Sequence, residues 1–402
     1  MRRKPVPPGW KRTALDHVAS VQTGIAKGKA LDGETVNVPY LRVANVQDSH
    51  VDLSVIKEIT LKPSEISRYS LRAGDVLFTE GGDFDKLGRG TVWIGEIQPC
   101  LHQNHVFAVR PKLDVLLPAF LAFQAASEYG RRFFQLSSKQ STNLASINST
   151  QLKEFPVLLP PLPEQRKIAE ILQTWDEAIE KLVALRAAKE QQFRGFQQKL
   201  IDPDFKSYGD TLEQYVLIPN FEKITSADGL KPLTVKLHCK GIMANGRNVQ
   251  ITLSDKGRPY YRRKSEDLLI GRQNFHNGGF GIVPSELDGF IASNAITSLR
   301  VDSSKADVHY LFYFFSRKDY YLRIGHIMDG TGQKELSDKQ IRKLPVSIPS
   351  LEKQVEVVQI LNAANAEISL IDTKIEALQR QKRGLMQKLL TGEWRVKVEG
   401  TA

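Results

Sequence analysis

The sequence predicts an α+β chain in which two mixed α/β domains are joined by two long antiparallel helices packed as a coiled-coil spacer, with a pseudo-two-fold internal repeat. Three observations carry this. Residues 162–200 hold no proline after Pro163, and Ile168, Ile171, Leu172, Trp175, Ile179, Leu182, Leu185, Phe193, Phe196 and Leu200 recur at spacings of three, four or seven. That stripe marks an amphipathic helix, and at a rise of about 1.5 Å per residue it spans roughly 55 Å, too long for one small domain to cover. A shift of 189 residues then brings the segment back: Pro156 meets Pro345, Leu162 meets Leu351, Gln165 meets Gln354, Ile171-Leu172 meets Ile360-Leu361, Ile179 meets Ile368, and Gln198-Lys199-Leu200 meets Gln387-Lys388-Leu389. Repetition on this scale means two copies of one unit. The second stripe runs through Val355, Val358, Leu361, Ile368, Ile371, Ile375, Leu378, Leu385 and Leu389, so each helix has a partner in the other.

The expected divisions are a first domain over 1–160, a central spacer helix over 161–202, a linker over 203–219 opening at Pro203, a second domain over 220–350, a terminal spacer helix over 351–395 and a tail over 396–402. In the first domain, Trp10 follows a Pro-Gly turn and leads into a short helix or strand. Residues 36–47 read as a valine-rich strand, and 69–79 as a turn at Ala73-Gly74 followed by a strand. A glycine-rich loop (80–90) precedes the strand TVWIG, and 106–110 form another strand. Residues 116–138 look helical past Pro118. The second domain repeats the order with little identity: 265–275 takes the role of the GDVLFT strand, 290–301 that of LHQNHVFAVR, and 308–324 that of the helix at 116–138. Its seven aromatic residues suit a packed helix wall better than a base-stacking surface.

Charge narrows the function. The net charge is +11. Residues 1–160 hold 20 basic and 15 acidic side chains, and 220–350 hold 20 and 13, whereas 161–219 hold 8 and 10, and 351–402 hold 8 and 7. The excess therefore sits in the two domains, as a polyanion touching both would require. No run of 18 apolar residues occurs and MRRKPVPPGW lacks an apolar core, so neither a membrane partner nor a secretory signal is expected, and a cytoplasmic location is. Cys100 and Cys239 lie in different copies and form no ligand cluster.

A search for catalytic constellations ends without one. EGGDFDKLGRG lacks the order of a phosphate-cradling loop. Asn37-Val38-Pro39-Tyr40 resembles a degenerate amino-methyltransferase motif with no glycine-rich cofactor loop before it. Asp83, Asp85 and Lys86 lack a third acid, and His102 and His105 lack the remaining ligands of a zinc site. What remains is recognition chemistry, in which Arg, Lys, Asn and Gln read base edges and hold phosphates. The candidates in the first copy are Arg42, Asn45, Lys86, Arg89, His102, Gln103, Asn104, Lys139, Gln140 and Asn143. The second copy offers Asn245, Arg247, Asn248, Lys256, Arg258, Tyr260, Tyr261, Arg262, Arg263, Lys264, Arg272, Gln273, Asn274, His276 and Lys334, with the run 258–264 foremost. Spacer packing is assigned to Ile168, Leu172, Trp175, Ile179, Leu182 and Phe193 against Leu361, Ile368, Ile371, Ile375, Leu378 and Leu385.

The layout resembles the specificity subunit of type I restriction–modification enzymes. The resemblance rests on PLPEQRKIAEIL (161–172), PSLEKQVEVVQIL (349–361) and QKLLTGEWR (387–395), and covers nearly the whole chain. At the second linker, Leu351-Glu352-Lys353-Gln354 departs from the usual Pro-x-x-Glu-Gln. The resemblance implies that each domain is a target recognition domain reading half of a bipartite double-stranded DNA site, and that the helices act as a ruler and dock two methyltransferase (modification) subunits. It further implies restriction/translocase subunits as partners and no catalytic activity in this chain. No cofactor is expected here; S-adenosylmethionine, Mg²⁺ and ATP are expected on the partner subunits. The rival reading is a non-catalytic structural protein presenting two protein-binding domains on a helical spacer.

Overall fold

The computed structural model describes residues 6–28, 32–82, 87–88, 90–140, 145–201, 209–217, 223–224, 230–246, 259–324 and 335–398. The chain divides into two compact units, one of Met1–Val183 with Thr373–Ala402 and one of Ala184–Asp372. Both long helices form, over Leu162–Leu200 and Leu351–Leu390. The central helix contributes its first part to the first unit and its last part to the second; the terminal helix does the reverse.

Each unit is built on a four-stranded antiparallel sheet of the same order. In the first unit the strands run Ala19–Thr23, Val106–Pro111, Val76–Thr79, Gly90–Val92. In the second they run Val216–Leu217, Ile296–Val301, Leu268–Gly271, Phe280–Ile282. The central strands VLFT and LLIG are buried at every position, which is why they read as continuous apolar runs. A buried aspartate precedes each. Asp75 takes a bidentate grip from Arg110 (both bonds 2.7 Å), and Asp267 accepts from Arg300 (3.2 and 2.8 Å). Such charge-assisted bonds fix neighbouring strands in register.

The stretch 116–138 is two helices, Pro118–Ala126 and Glu128–Ser137, because Ser127 caps the second with its hydroxyl. Residues 308–324 divide likewise into Val308–Phe315 and Lys318–Ile324. Six of the seven aromatic residues there are buried, with Phe314 and Tyr320 edge-to-face at 4.9 Å; the run is core. The VNVPYL segment forms a strand, Val36–Leu41, with Tyr40 buried.

The repeat holds at single hydrogen bonds. Asn148–Gln151 and Ser337–Gln340 form matching capping boxes. Gln165, fully buried, accepts from Leu117 N (2.8 Å) and donates to Val115 O (2.7 Å) and Pro160 O (2.9 Å). Gln354 makes the same set, accepting from Asp307 N (2.8 Å) and donating to Lys305 O (3.2 Å) and Pro349 O (2.8 Å). Each glutamine pins the start of a long helix to its own domain.

Within each unit the two helices pack antiparallel. In the first, Asp176 pairs with Lys382; in the second, Arg186 pairs with Asp372, and Lys189 with Glu367 at 2.7 Å. Of the spacer residues, Ile168, Leu172, Leu361, Ile368, Ile371 and Ile375 are buried, while Trp175, Ile179, Leu182, Phe193, Leu378 and Leu385 are half-buried. A seam between only two helices covers a narrow stripe, and Leu185 and Val355, although in period, stand exposed. Ile168, Leu172 and Leu361 pack into the domain cores as well.

Candidate nucleic-acid interface

Beyond the last residue of each central strand, three segments distant in sequence meet. In the first unit Glu80 N donates to His105 O (2.9 Å) and Glu80 O accepts from Ile147 N (2.7 Å). In the second, Arg272 N donates to Ala295 O (3.1 Å) and Arg272 O accepts from Leu336 N (3.1 Å). The same three-way junction is thus built twice, with Glu80 in one copy where Arg272 stands in the other.

In the first unit a small sheet extends this junction: Gly81–Gly82 pairs with Ala145–Ser146, which pairs with Lys139–Gln140. A Cβ on Gly81 would fall 2.8 Å from Ala145 O, so only glycine lets these strands close. The loop carrying Gln103 and Asn104 is held by another close approach. Ile25 N donates to His102 O (2.8 Å) and Asn104 N to Ile25 O (3.0 Å), and a Cβ on the adjacent Gly24 would sit 2.0 Å from His102 O. Lys139 is exposed, Gln103 and Asn104 are half-buried, and the Glu80 carboxylate contacts the His105 ring. Composition and spacing do not single out Glu80, and they offer His105 only as half of an incomplete zinc pair; the fold alone brings the two to the junction. Lys86, Arg89 and Asn143 lie outside the described residues, as does the side chain of Gln140.

In the second unit Arg272 donates to Leu336 O (3.0 Å) and to Glu335 (3.0 Å), and Gln273 to Glu335 (3.4 Å). Asn274 is exposed and His276 half-buried in the turn that follows. The strand Tyr260–Arg262 starts beside the same junction, since Asn294 N donates to Pro259 O (3.1 Å) and Tyr260 pairs with Ser293. Tyr260, Tyr261 and Arg262 are half-buried and Lys264 is exposed. Asn245 is half-buried after the Ile242–Ala244 strand. Arg247, Asn248, Lys256, Arg258 and Lys334 lie outside the described residues.

Three candidates are buried and hydrogen-bonded within the fold. Asn45 is buried; its amide accepts from Arg42 N (2.9 Å) and donates to Asp52 O (2.8 Å) and Val55 O (3.1 Å), shaping a turn that also draws Arg42 onto Val55 O. His102 is fully buried with Nδ1 2.6 Å from Val106 O, and burial holds its pKa below 6.5. Arg263 is 1% exposed and donates to Ser293 O (3.2 Å) and Ile296 O (2.8 Å), and burial lowers its pKa to about 10. Arg263 directly follows the strand Tyr260–Arg262, whose three residues are all half-buried, and nothing in the basic run itself marks Arg263 as the one turned inward.

Among the described residues no group of three or more His, Cys, Asp or Glu is placed to hold a metal ion, and no helix is long and apolar enough to cross a membrane. Burial pushes both thiols, Cys100 and Cys239, up to about 12, so neither is a ready nucleophile.

The family model "Type I restriction modification DNA specificity domain" matches residues 7–188 and 242–380. A putative type I restriction enzyme specificity subunit (MjaX) of Methanocaldococcus jannaschii is 24% identical, over 98% of this chain and 95% of its own length. The EcoKI specificity subunit of Escherichia coli is 31% identical over 37% of this chain and 33% of its own. Among solved structures, a type I restriction–modification S subunit from M. genitalium has a TM-score of 0.56 at 14% identity, covering 97% of each chain. This last likeness speaks for the fold alone. With the family's model matching both copies of the repeat, the chain belongs to the type I restriction–modification DNA specificity family and is the specificity subunit of such an enzyme.

Proposed function

We propose that each unit reads one half of a bipartite duplex target through its three-way junction, with residues 1–160 and 220–350 as the two target recognition domains. The observation that carries this is the junction itself. One backbone arrangement is repeated, yet it presents different polar side chains, Glu80, Asn104 and Lys139 in one copy and Arg272, Gln273 and Asn274 in the other. Repeated geometry with changed hydrogen-bonding groups is what two different base sequences require, because base edges are told apart by donor and acceptor pattern. Lys139, Arg262 and Lys264 supply cations for phosphate contact. Asn45, His102 and Arg263 support the domains from within.

The paired helices set the gap between the half-sites and dock two methyltransferase subunits, to which the restriction and translocase subunits attach. S-adenosylmethionine, Mg²⁺ and ATP then belong to those partners, and this chain supplies address and scaffold. Binding of the assembled complex to duplex DNA, titrated against salt, tests the reading. Affinity should fall steeply with salt, and Lys139→Ala should reduce the slope by about 1. A flat response would favour a scaffold that binds only proteins.

A further inference from the structure

Where the two copies build the same hydrogen bonds, a neighbouring position that differs between them is informative. Gln165 and Gln354 are matched bond for bond. The preceding positions are not: the first copy has Glu164 and the second has Lys353. Lys353 lies on the surface, 2.9 Å from Glu356 one turn along its own helix. Glu164 is 6% exposed and receives three hydrogen bonds, from Trp10 Nε1 (3.2 Å), Arg395 Nε (3.0 Å) and Arg395 Nη2 (2.5 Å).

Arg395 reaches further. Its Nη1 donates to Pro8 O (2.8 Å), across 387 residues of sequence, and its guanidinium lies 5.9 Å from the Trp10 ring centroid. Nearby, Gly392 is so close to Pro7 that a Cβ there would stand 2.4 Å from Pro7 Cγ. One buried carboxylate therefore gathers two separate stretches, 7–10 and 392–395. They flank the place where the terminal helix, ending at Leu390, meets the strand Lys11–Ala14.

The second unit has the same meeting place, where the central helix ends at Leu200 and the strand Asp210–Thr211 follows. Both strands have matching partners: Lys11–Ala14 pairs with Pro156–Leu159, and Asp210–Thr211 with Pro345–Val346. There, however, helix and strand are joined by the peptide chain. In the first unit nothing covalent joins residue 398 to residue 6.

We propose that Glu164, Arg395 and Trp10 form a clasp that does for the first unit what the continuous chain does for the second. Position 164 carries an acid, and position 353 does not, because only at 164 must two separate segments be held. Charge-assisted bonds to a desolvated carboxylate suit the task, being directional and strong. Glu164 is thereby a positioning residue for the first recognition domain: it fixes the strand at 11–14 to the helix pair and touches no base. This last role rests on the DNA reading above; the clasp itself does not.

The test uses full-length chain and amide hydrogen exchange. Glu164→Gln is isosteric, and Arg395→Gln changes a half-exposed residue, so each leaves the core in place. In both, amides of 9–10 and 392–396 should exchange at least tenfold faster while those around Gln354 stay unchanged, and Lys353→Gln should alter neither region. A conservative variant completes the test. Arg395→Lys keeps a cation beside Glu164, so it should hold exchange at 9–10 and 392–396 nearer to the parent and keep affinity for the first half-site, where Arg395→Gln loses both. Unchanged exchange in Glu164→Gln would overturn the clasp. A DNA defect as large in Arg395→Lys as in Arg395→Gln, with exchange near the parent's in the lysine variant, would overturn the positioning role. Faster exchange with intact first half-site affinity would leave the clasp standing and count against the DNA reading of the first unit.

Discussion

In the first unit Asp75 grips Arg110, and in the second Asp267 grips Arg300, at the start of strands that occupy the same place in the same sheet. At the far end of those strands the copies differ. Glu80 contacts His105 in one, while Arg272 ties down Glu335 and Leu336 in the other. A duplicated unit keeps the buried hydrogen bonds that set strand register, since an unpaired charge there is costly. Where the sheet runs out it changes the side chains together with their neighbours, and those changed positions are the ones proposed to read DNA.

The largest expected effect breaks the assumption that a basic run acts as one surface. Arg263→Ala should destabilise the second unit by about 3 kcal/mol, by leaving a cavity and two carbonyls without a donor. Arg262→Ala, at a half-buried residue that donates to Gly289 O (3.2 Å), should cost less than Arg263→Ala while weakening DNA binding. Urea unfolding of the two variants, followed with DNA titrations of the folded one, checks both. Next in size are Asp75→Asn and Asp267→Asn. Each should cost about 2–3 kcal/mol, and double-mutant cycles with Arg110→Ala and Arg300→Ala should give couplings of equal sign and similar size. Unequal couplings would mean that the two frameworks are not equivalent.

The smallest effect sharpens the comparison through pH. His102 has its pKa lowered by burial in the first unit, and the matching region of the second unit has no histidine. Below pH 6.5 the unfolded chain takes up a proton that the folded chain resists, so the first unit should lose stability as pH falls through that point. Above it, His102 contributes no slope. Unfolding midpoints at pH 7.5 and 5.5 should diverge for the parent chain and converge for His102→Asn.

Much of this architecture was legible in the 189-residue offset. Both long helices, both proline-rich entries and the paired glutamines stand at matched positions, because each depends on local sequence. The buried central strands were legible too, as apolar runs behind a turn. The junction was not: Glu80, His105 and Ile147 meet only through pairing across long stretches of chain, which no window of sequence records. The burial of Arg263 was not legible, because a run of charge says nothing about which of its residues turns inward. Glu164 was hidden inside a linker motif, and its reason emerges only from the contrast with Lys353.

The central claim is that two readers of one design are held by a helical ruler. Its most direct measurement is a genome-wide map of modified adenines made with the parent chain and with a variant carrying four extra helical residues in both long helices. Four residues add about 6 Å, close to two base pairs. The account predicts the same two half-sites separated by a longer gap. Altered half-site sequences with the gap unchanged would contradict it.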